Sequence, residues 1–302
     1  MSVILALPDG QKNKNIPTLG DPLLTSNTMA SFHGHATLFF TGDVFFDRYI
    51  RTMNRIHGGD HLFSCADALL RSADAVVANL EGPITDEESA SEGTEIGSAE
   101  NYRFTFPSTT ASLLRKHNIR IVDIGNNHIA NFGNAGIKTT HQYLDAAGVG
   151  YFGGVAGNEP VYETVLGGLP LAFISYNAFY GTSSVAVAET IRKEKANGRM
   201  VVVFAHWGTE YSTSTLELHD RAALFAASGA SLIVGSHPHI VLPSEMLDAV
   251  PVYYSLGNFI FDQYWNESVN HGLVLEVHID DGVLSLKEHY VELLRDGRSC
   301  VN

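Results

Sequence analysis

An α/β fold with buried strands is what this sequence predicts, on three observations. Apolar, β-rich runs alternate along the chain with amphipathic stretches of helical period; polar or Gly residues follow each apolar run directly; and two further segments carry the turn dipeptides of hairpins. With 302 residues, 45% of them hydrophobic and 10% aromatic, the chain can bury a sizeable core, as one large domain or two small ones.

The clearest runs are ATLFFTGD (Ala36 to Asp43), DAVVANLE (Asp74 to Glu81), RIVDIGNNH (Arg120 to His128), MVVVFAHWG (Met200 to Gly208), SLIVGSHPH (Ser231 to His239) and PVYYSLGNF (Pro251 to Phe259). Helical patterns fall between them in HLFSCADALLRSA, STTASLLRKHN, AGIKTTHQYLDAAG and TLELHDRAALFAASG, and that alternation argues for strands buried within an α/β domain. The segments VYETVLGGLPLAFISYN and GLVLEVHIDDGVLSLKEHYVELL place GG and DG turns between β-rich arms. They read as hairpins, so a mixed sheet system is predicted over a purely parallel one. Residues 1–34 are rich in Gly, Pro, Asn and Ser without periodicity and read as an extended leader, with 35–302 as a single domain. The Glu/Ser/Gly stretch from Asp86 to Ala99 reads as a mobile surface loop.

Charge and cysteine usage exclude several classes. Lys and Arg total 19 against 33 Asp and Glu, a formal charge of −14, which disfavours tracking a phosphate backbone or docking on anionic lipid. No nucleic-acid partner is expected. No segment approaches the ~20 apolar residues that a membrane span needs, and the amino end lacks the basic region of a signal peptide, so a cytoplasmic location is the default. Cys65 and Cys300 are the only cysteines; they show no CxxC spacing, cannot form a disulfide framework and leave the compartment open.

Ligands of open α/β sheets bind beyond the carboxyl ends of the strands, and the unusual polar residues of this chain cluster there. Asp43 ends the first run, Asn79 and Glu81 the second, Asn126, Asn127 and His128 the third, His206 the fourth, His237 and His239 the fifth, and Asn258 lies in the sixth. Alone, each has a bland reading as a turn or a satisfied polar residue. Five consecutive runs delivering Asp, Glu, Asn-His, His and His-x-His to one rim point instead to divalent cations. Mixed imidazole, carboxylate and amide ligation suits one or two Mn, Fe or Zn ions better than Ca or Mg. A carboxylate shared between two ions would set them ~3.5–4 Å apart, a spacing that grips and attacks an ester or anhydride. No G-x-S-x-G elbow, reactive-looking cysteine or Walker loop offers another nucleophile, so catalysis is expected through metal-activated water.

The ordered motifs TGDVFFDR, NLEGPIT, NNHIANFG, YFGG, AHWGTEY, GSHPHIVLPSE and YSLGNFIFD, spanning about Thr37 to Asp262, resemble the bacterial CapA-type proteins of poly-γ-glutamate capsule synthesis, relatives of the calcineurin-like metallophosphoesterases. The resemblance implies a four-layer α/β/β/α sandwich. It implies roles by position: Asp43 as the first-ion aspartate, Glu81 in place of the bridging aspartate, Asn127, His206 and His237 as the second-ion set, and His239 returning to the first ion. His128 is similar to the histidine that contacts the leaving group, which implies general-acid duty. Asn79 and Asn126 read as loop-fixing donors, and Glu210 and Glu245 as partners orienting imidazole N–H groups. Arg48 and Arg103 are candidate anion contacts, with a structural role for each as the plainer reading.

Three positions depart from the pattern. Phe45 stands where phosphoesterases carry the His of Asp-x-His, Asn131 where an Asp follows NNH, and Leu242 where a Gln follows HPH. The expected activity is metal-dependent hydrolysis of a phosphoester or of an amide or γ-glutamyl centre, on an anionic small-molecule or polymeric substrate such as poly-γ-glutamate. The alternatives are a non-catalytic accessory protein that binds the polymer or its synthesis machinery, and a small-molecule pathway that has borrowed the scaffold.

Overall fold

A computed structural model describes residues 32–155 and 161–301. The expected leader lies outside the described residues except for its last three, which lead into the first strand. From there the chain runs β1 (His35–Val44), α1 (Arg48–His57), α2 (Gly59–Phe63), α3 (Asp67–Leu70), β2 (Ala75–Leu80), α4 (Thr110–Lys116), β3 (Ile119–Asp123), α5 (Gly133–Ala147) and β4 (Gly150–Phe152). It continues with β5 (Tyr162–Leu166), β6 (Leu169–Asn177), α6 (Ser184–Ala196), β7 (Met200–His206), α7 (Leu216–Ser228) and β8 (Leu232–Ser236). The last strands are β9 (Ser244–Leu247), β10 (Val250–Tyr253), β11 (Asn258–Ile260), β12 (His271–Asp280), β13 (Val283–Leu293) and β14 (Ser299–Val301).

The result is a mixed α/β fold with two sheets. An eight-stranded sheet is ordered β14-β13-β12-β1-β2-β3-β4, with β11 also paired to β1, and a six-stranded sheet is ordered β5-β6-β7-β8-β10-β9. β1 runs parallel to β2 and β11 but antiparallel to β12; in the other sheet β6, β7, β8 and β10 are parallel and both edges antiparallel. The two expected hairpins are β5–β6 and β12–β13. Gly167 and Gly168 have φ of 55° and 87°, and Asp281 and Gly282 of 48° and 85°, the paired positive φ that matches a two-residue turn to strand twist.

Alternation along each strand divides the core. Leu38 and Phe40 of β1 join Val202 and Phe204 of β7 in one buried cluster shared by the two sheets. Phe39, one residue out of phase, packs with Ile50 and Met53 of α1, Phe63 of α2 and Leu114 of α4. Val201, Val203 and Ala205 of β7 meet Ile191 of α6 and Phe225 of α7. Both faces of these strands are buried, which is why their sequences read as unbroken apolar runs.

Four details differ from expectation. PVYYSLGNF is two strands: β10 belongs to the six-stranded sheet and β11 to the other, the chain crossing between sheets through Leu256 and Gly257. Gly42 of β1 admits that crossing, because a Cβ there would stand 1.8 Å from the Gly257 carbonyl oxygen. The 61–73 pattern breaks into α2 and α3, and α1 and α6 lie in stretches with no helix assigned from sequence. The Asp86 to Ala99 stretch is tied down: Ser91 Oγ donates to Asp47 at 2.9 Å and Arg55 pairs with Glu92. Finally, Cys65 and Cys300 are disulfide-bonded, with Cα atoms 4.6 Å apart. Among the described residues no helix is long and apolar enough to cross a membrane.

Candidate metal centre

Register brings the polar residues together at the carboxyl ends of the parallel strands. In the larger sheet Asp43 stands beside Asn258 on one side and Asn79 on the other, with Asp123 next to Asn79. In the smaller sheet Asn177, His206 and Ser236 form the corresponding row. The pairing of β1 with β2 slips between Phe40 and Asp43. A bulge of that kind re-aims a side chain at the end of a strand.

Two sets of ligand-type atoms result, each lying within 4.8 Å of one another: Glu81, His206 and His237 form one, and Asp43, Glu81 and His239 the other. Glu81 is common to both. All five side chains are buried. His239 Nδ1 lies 2.9 Å from Asn258 Oδ1 and 3.1 Å from Asp43 Oδ2, while its Nε2 is 3.5 Å from Glu81 Oε1. Asn258 gives its own amide N–H groups to Gln263 and the Val269 carbonyl, so its oxygen receives the His239 proton and Nε2 is left facing Glu81. His206 is held at Nδ1 by Ser236 Oγ and at Nε2 by Asn127 Oδ1, both at 2.9 Å. A hydroxyl partner such as Ser236 sets the tautomer and aim of an imidazole, and the Asn127 contact brings its amide oxygen to the same ring nitrogen.

Asn79 and Asn126 brace the centre. The Asn79 amide donates to Asp43 at 2.7 Å and reaches Glu81 at 3.4 Å; Asn126 in turn donates to Asn79 at 3.1 Å and to the Leu80 carbonyl at 2.8 Å. His237 and His239 both adopt positive φ, 92° and 58°, a strained conformation for non-Gly residues that surrounding contacts must enforce.

The electrostatics suit divalent cations. Burial, reinforced by the Asp43 charge, pushes the Glu81 carboxyl well above its ordinary value, as expected where two carboxylates share a dry site. Burial also lowers the imidazoles: His206 falls well below the usual range and His237 to about 3. Neutral rings are the ligating form. Glu81 Oε1 and His237 Nδ1 are buried without hydrogen-bond partners, a costly condition that an ion would relieve. The donor set therefore fits one or two divalent cations.

The remaining expected residues fall in several places. His128 is buried, its ring 4.0 Å from that of Phe104. Its Nδ1 lies 3.1 Å from Asn131 Oδ1, an oxygen that also accepts the Phe104 amide at 2.8 Å. That geometry favours the tautomer protonated at Nδ1, and burial lowers the ring to about 3. The ring also hydrogen-bonds the Tyr102 backbone, and it sits at the inner end of the cleft, within reach of a bound substrate. Arg48 is committed to Asp262 through Nε at 3.0 Å and Nη2 at 2.5 Å, and lies over Phe45 and Phe104. Arg103 packs over Phe132. Glu245 receives His219 at 2.9 Å and the Tyr254 hydroxyl, so it orients none of the clustered imidazoles. Glu210 lines the cleft beside His128 and His239. Phe45 is buried in an aromatic cluster with Phe104, Phe106 and Phe261. Ser236 and Asp262 lie inside the quoted motifs and Gln263 directly after one, but none of the three carries a signal of its role there.

A model of the family described as bacterial capsule synthesis protein PGA_cap matches residues 37–263. The chain belongs to that family. It is 29% identical over 256 residues to the PGA biosynthesis protein CapA of Bacillus subtilis (strain 168), covering 78% of this chain and 66% of that protein. It is 25% identical over 267 residues to the capsule biosynthesis protein CapA of Bacillus anthracis, covering 81% of this chain and 64% of that protein. The chain thus spans slightly under two thirds of the length of these relatives. All the clustered residues named above lie inside the family match.

Proposed function

We propose that this PGA_cap family member is a metal-dependent hydrolase of capsule or poly-γ-glutamate metabolism, acting on a phosphoester or on an amide or γ-glutamyl centre. The observation that carries the reading is the sharing of Glu81 between two buried ligand sets, one with His206 and His237, the other with Asp43 and His239. Asp43, Glu81, Asn127, His206, His237 and His239 would hold the ions, for which Mn, Fe or Zn suits the mixed donors. When bound, such ions supply a Lewis acid that polarises the scissile group and lowers the pKa of water.

The chain's own groups do the rest. Ser236 and Asn258 aim the His206 and His239 rings, and Asn79 spaces the Asp43 and Glu81 carboxylates. His128 would take the proton of the attacking water as a general base and return it to the departing group. A four-layer sandwich, with helices outside two facing sheets, is part of the same reading and is supported by the three buried clusters. An anionic substrate, poly-γ-glutamate included, takes its support from the names of the relatives.

Those names speak of biosynthesis, which favours a second reading: an accessory protein that binds the polymer or its synthesis machinery without turnover. Metal analysis of purified protein, followed by a panel of phosphatase, phosphodiesterase and γ-glutamyl hydrolase substrates, separates the two. Hydrolysis that disappears in His237→Ala supports the enzyme. Polymer binding with no turnover of any substrate by the metal-loaded protein overturns it.

A further inference from the structure

A cleft of about 430 Å³ opens beside the candidate centre, reaching His128 and His239 at its inner end. Its walls carry four partly exposed aromatic rings, Tyr49, Tyr102, Tyr211 and Trp265, at 41%, 48%, 43% and 60% exposure. Tyr211 and Trp265 stand at 78° with centroids 5.7 Å apart, two walls of a corner. The cleft is also acidic. Among the described residues Arg48 is its only Lys or Arg, and Asp262 satisfies it; Glu92 is paired to Arg55. Glu210 remains with no ion-pair partner among the described residues, beside Tyr211.

A poly-γ-glutamate interior, with one carboxylate per unit, would meet these walls without a free cation to receive it. An ammonium group meets the opposite conditions: a carboxylate and the faces of electron-rich rings, the combination that holds cationic ligands in aromatic cages. We propose that this cleft is a subsite for a cationic amino group of the substrate, held between the Glu210 carboxylate and the rings of Tyr102, Tyr211 and Trp265. The inference rests on the hydrolase reading and narrows it. The substrate carries a free amine near the group presented to the centre, so a γ-glutamyl chain is engaged at its amino end and not in its interior.

Trp265 reports on the cleft, since the other tryptophan, Trp207, is fully buried. The probe pair is γ-glutamylglutamate with a free amino group and its N-acetylated form, titrated into the full chain while tryptophan emission is followed. The free amine is expected to perturb the emission and bind on the order of tenfold more tightly. Glu210→Gln removes that preference, and Tyr102→Leu weakens the free amine about two- to fivefold, both with unchanged circular dichroism. Equal affinity for the two probes, no response to either, or a preference that survives Glu210→Gln overturns the subsite. Turnover is scored separately. Amine-selective binding with no hydrolysis of any substrate removes the hydrolase and keeps the subsite, while equal hydrolysis of free and N-acetylated substrates removes the subsite and keeps the hydrolase.

Discussion

Glu81 places a carboxyl where stability alone would not put one. Its carboxyl is fully buried beside Asp43, with one oxygen unpaired. Glu81→Gln keeps the shape and removes the like charge, so the metal-free variant should be at least as stable as the parent, by up to about 1 kcal/mol in chemical denaturation. Its affinity for Mn or Zn, measured by calorimetry, should fall by more than about tenfold. A variant that loses stability and keeps its metal affinity would remove Glu81 from the centre. Asn131 is a second case. Replacing its neutral oxygen with a carboxylate in Asn131→Asp should raise the His128 pKa from its value of about 3, read as an upward-shifted ring titration by NMR; no shift would mean the two side chains do not interact. The residues of the two ligand sets were all legible in sequence, because each ends an apolar run. Ser236, which holds His206, and Asp262 and Gln263, which hold Arg48 and Asn258, were not, because nothing local distinguishes a polar residue that positions a neighbour from one that meets water.

Strands were the readable elements and helices less so, for a physical reason. A strand buried on both faces is an unbroken apolar run, whereas α1 exposes most of its surface and buries chiefly Ile50 and Met53. What positions α1 is Asp47, fully buried, which accepts from Arg51 Nε at 2.9 Å, Ser91 Oγ at 2.9 Å and the Thr105 amide at 2.9 Å. That one carboxylate ties α1 to the 86–99 stretch and so shapes a wall of the cleft. Asp47→Ala should therefore cost about 3–5 kcal/mol, the range for breaking a buried pair, measured by urea denaturation; a loss below about 1 kcal/mol would contradict this account. The division of PVYYSLGNF between sheets was equally hidden. Both halves are apolar, and only the close approach of Gly42 to the Gly257 carbonyl, visible in three dimensions, says where the chain crosses.

Over the whole molecule, protonation and covalent linkage govern stability. Burial lowers His128 and His237 from the ordinary 6.5 to about 3, and His206 is lowered as well. The unfolded chain thus binds more protons than the native one between these values. The contribution is complete above about pH 6.5 and is lost as pH falls toward 3, at about 1.4 kcal/mol per pH unit for each ring. Burial raises Glu81 and Asp123, whose protonation in the native state works in the opposite direction over the same range, so the ring contribution is read as a difference: the melting temperature of metal-free His237→Gln should fall less than that of the parent between pH 6 and 4, and equal slopes would contradict a buried neutral His237. The Cys65–Cys300 bond closes a loop with a sequence separation of 235, so Cys300→Ser should cost about 2–5 kcal/mol. Such bonds persist in oxidising compartments, which sets this pair against the cytoplasmic location expected from the amino end. The acidic composition disfavoured nucleic acid from the outset, but only the folded chain reveals that its cleft is acidic too.

In the proposed function Glu81 joins two ligand sets around divalent cations. Crystals grown with Mn and measured at its absorption edge test it most directly. Anomalous density is expected against Glu81 on the side of His206 and His237, on the side of Asp43 and His239, or on both. Fully active crystals with no anomalous density in contact with Glu81 would contradict it.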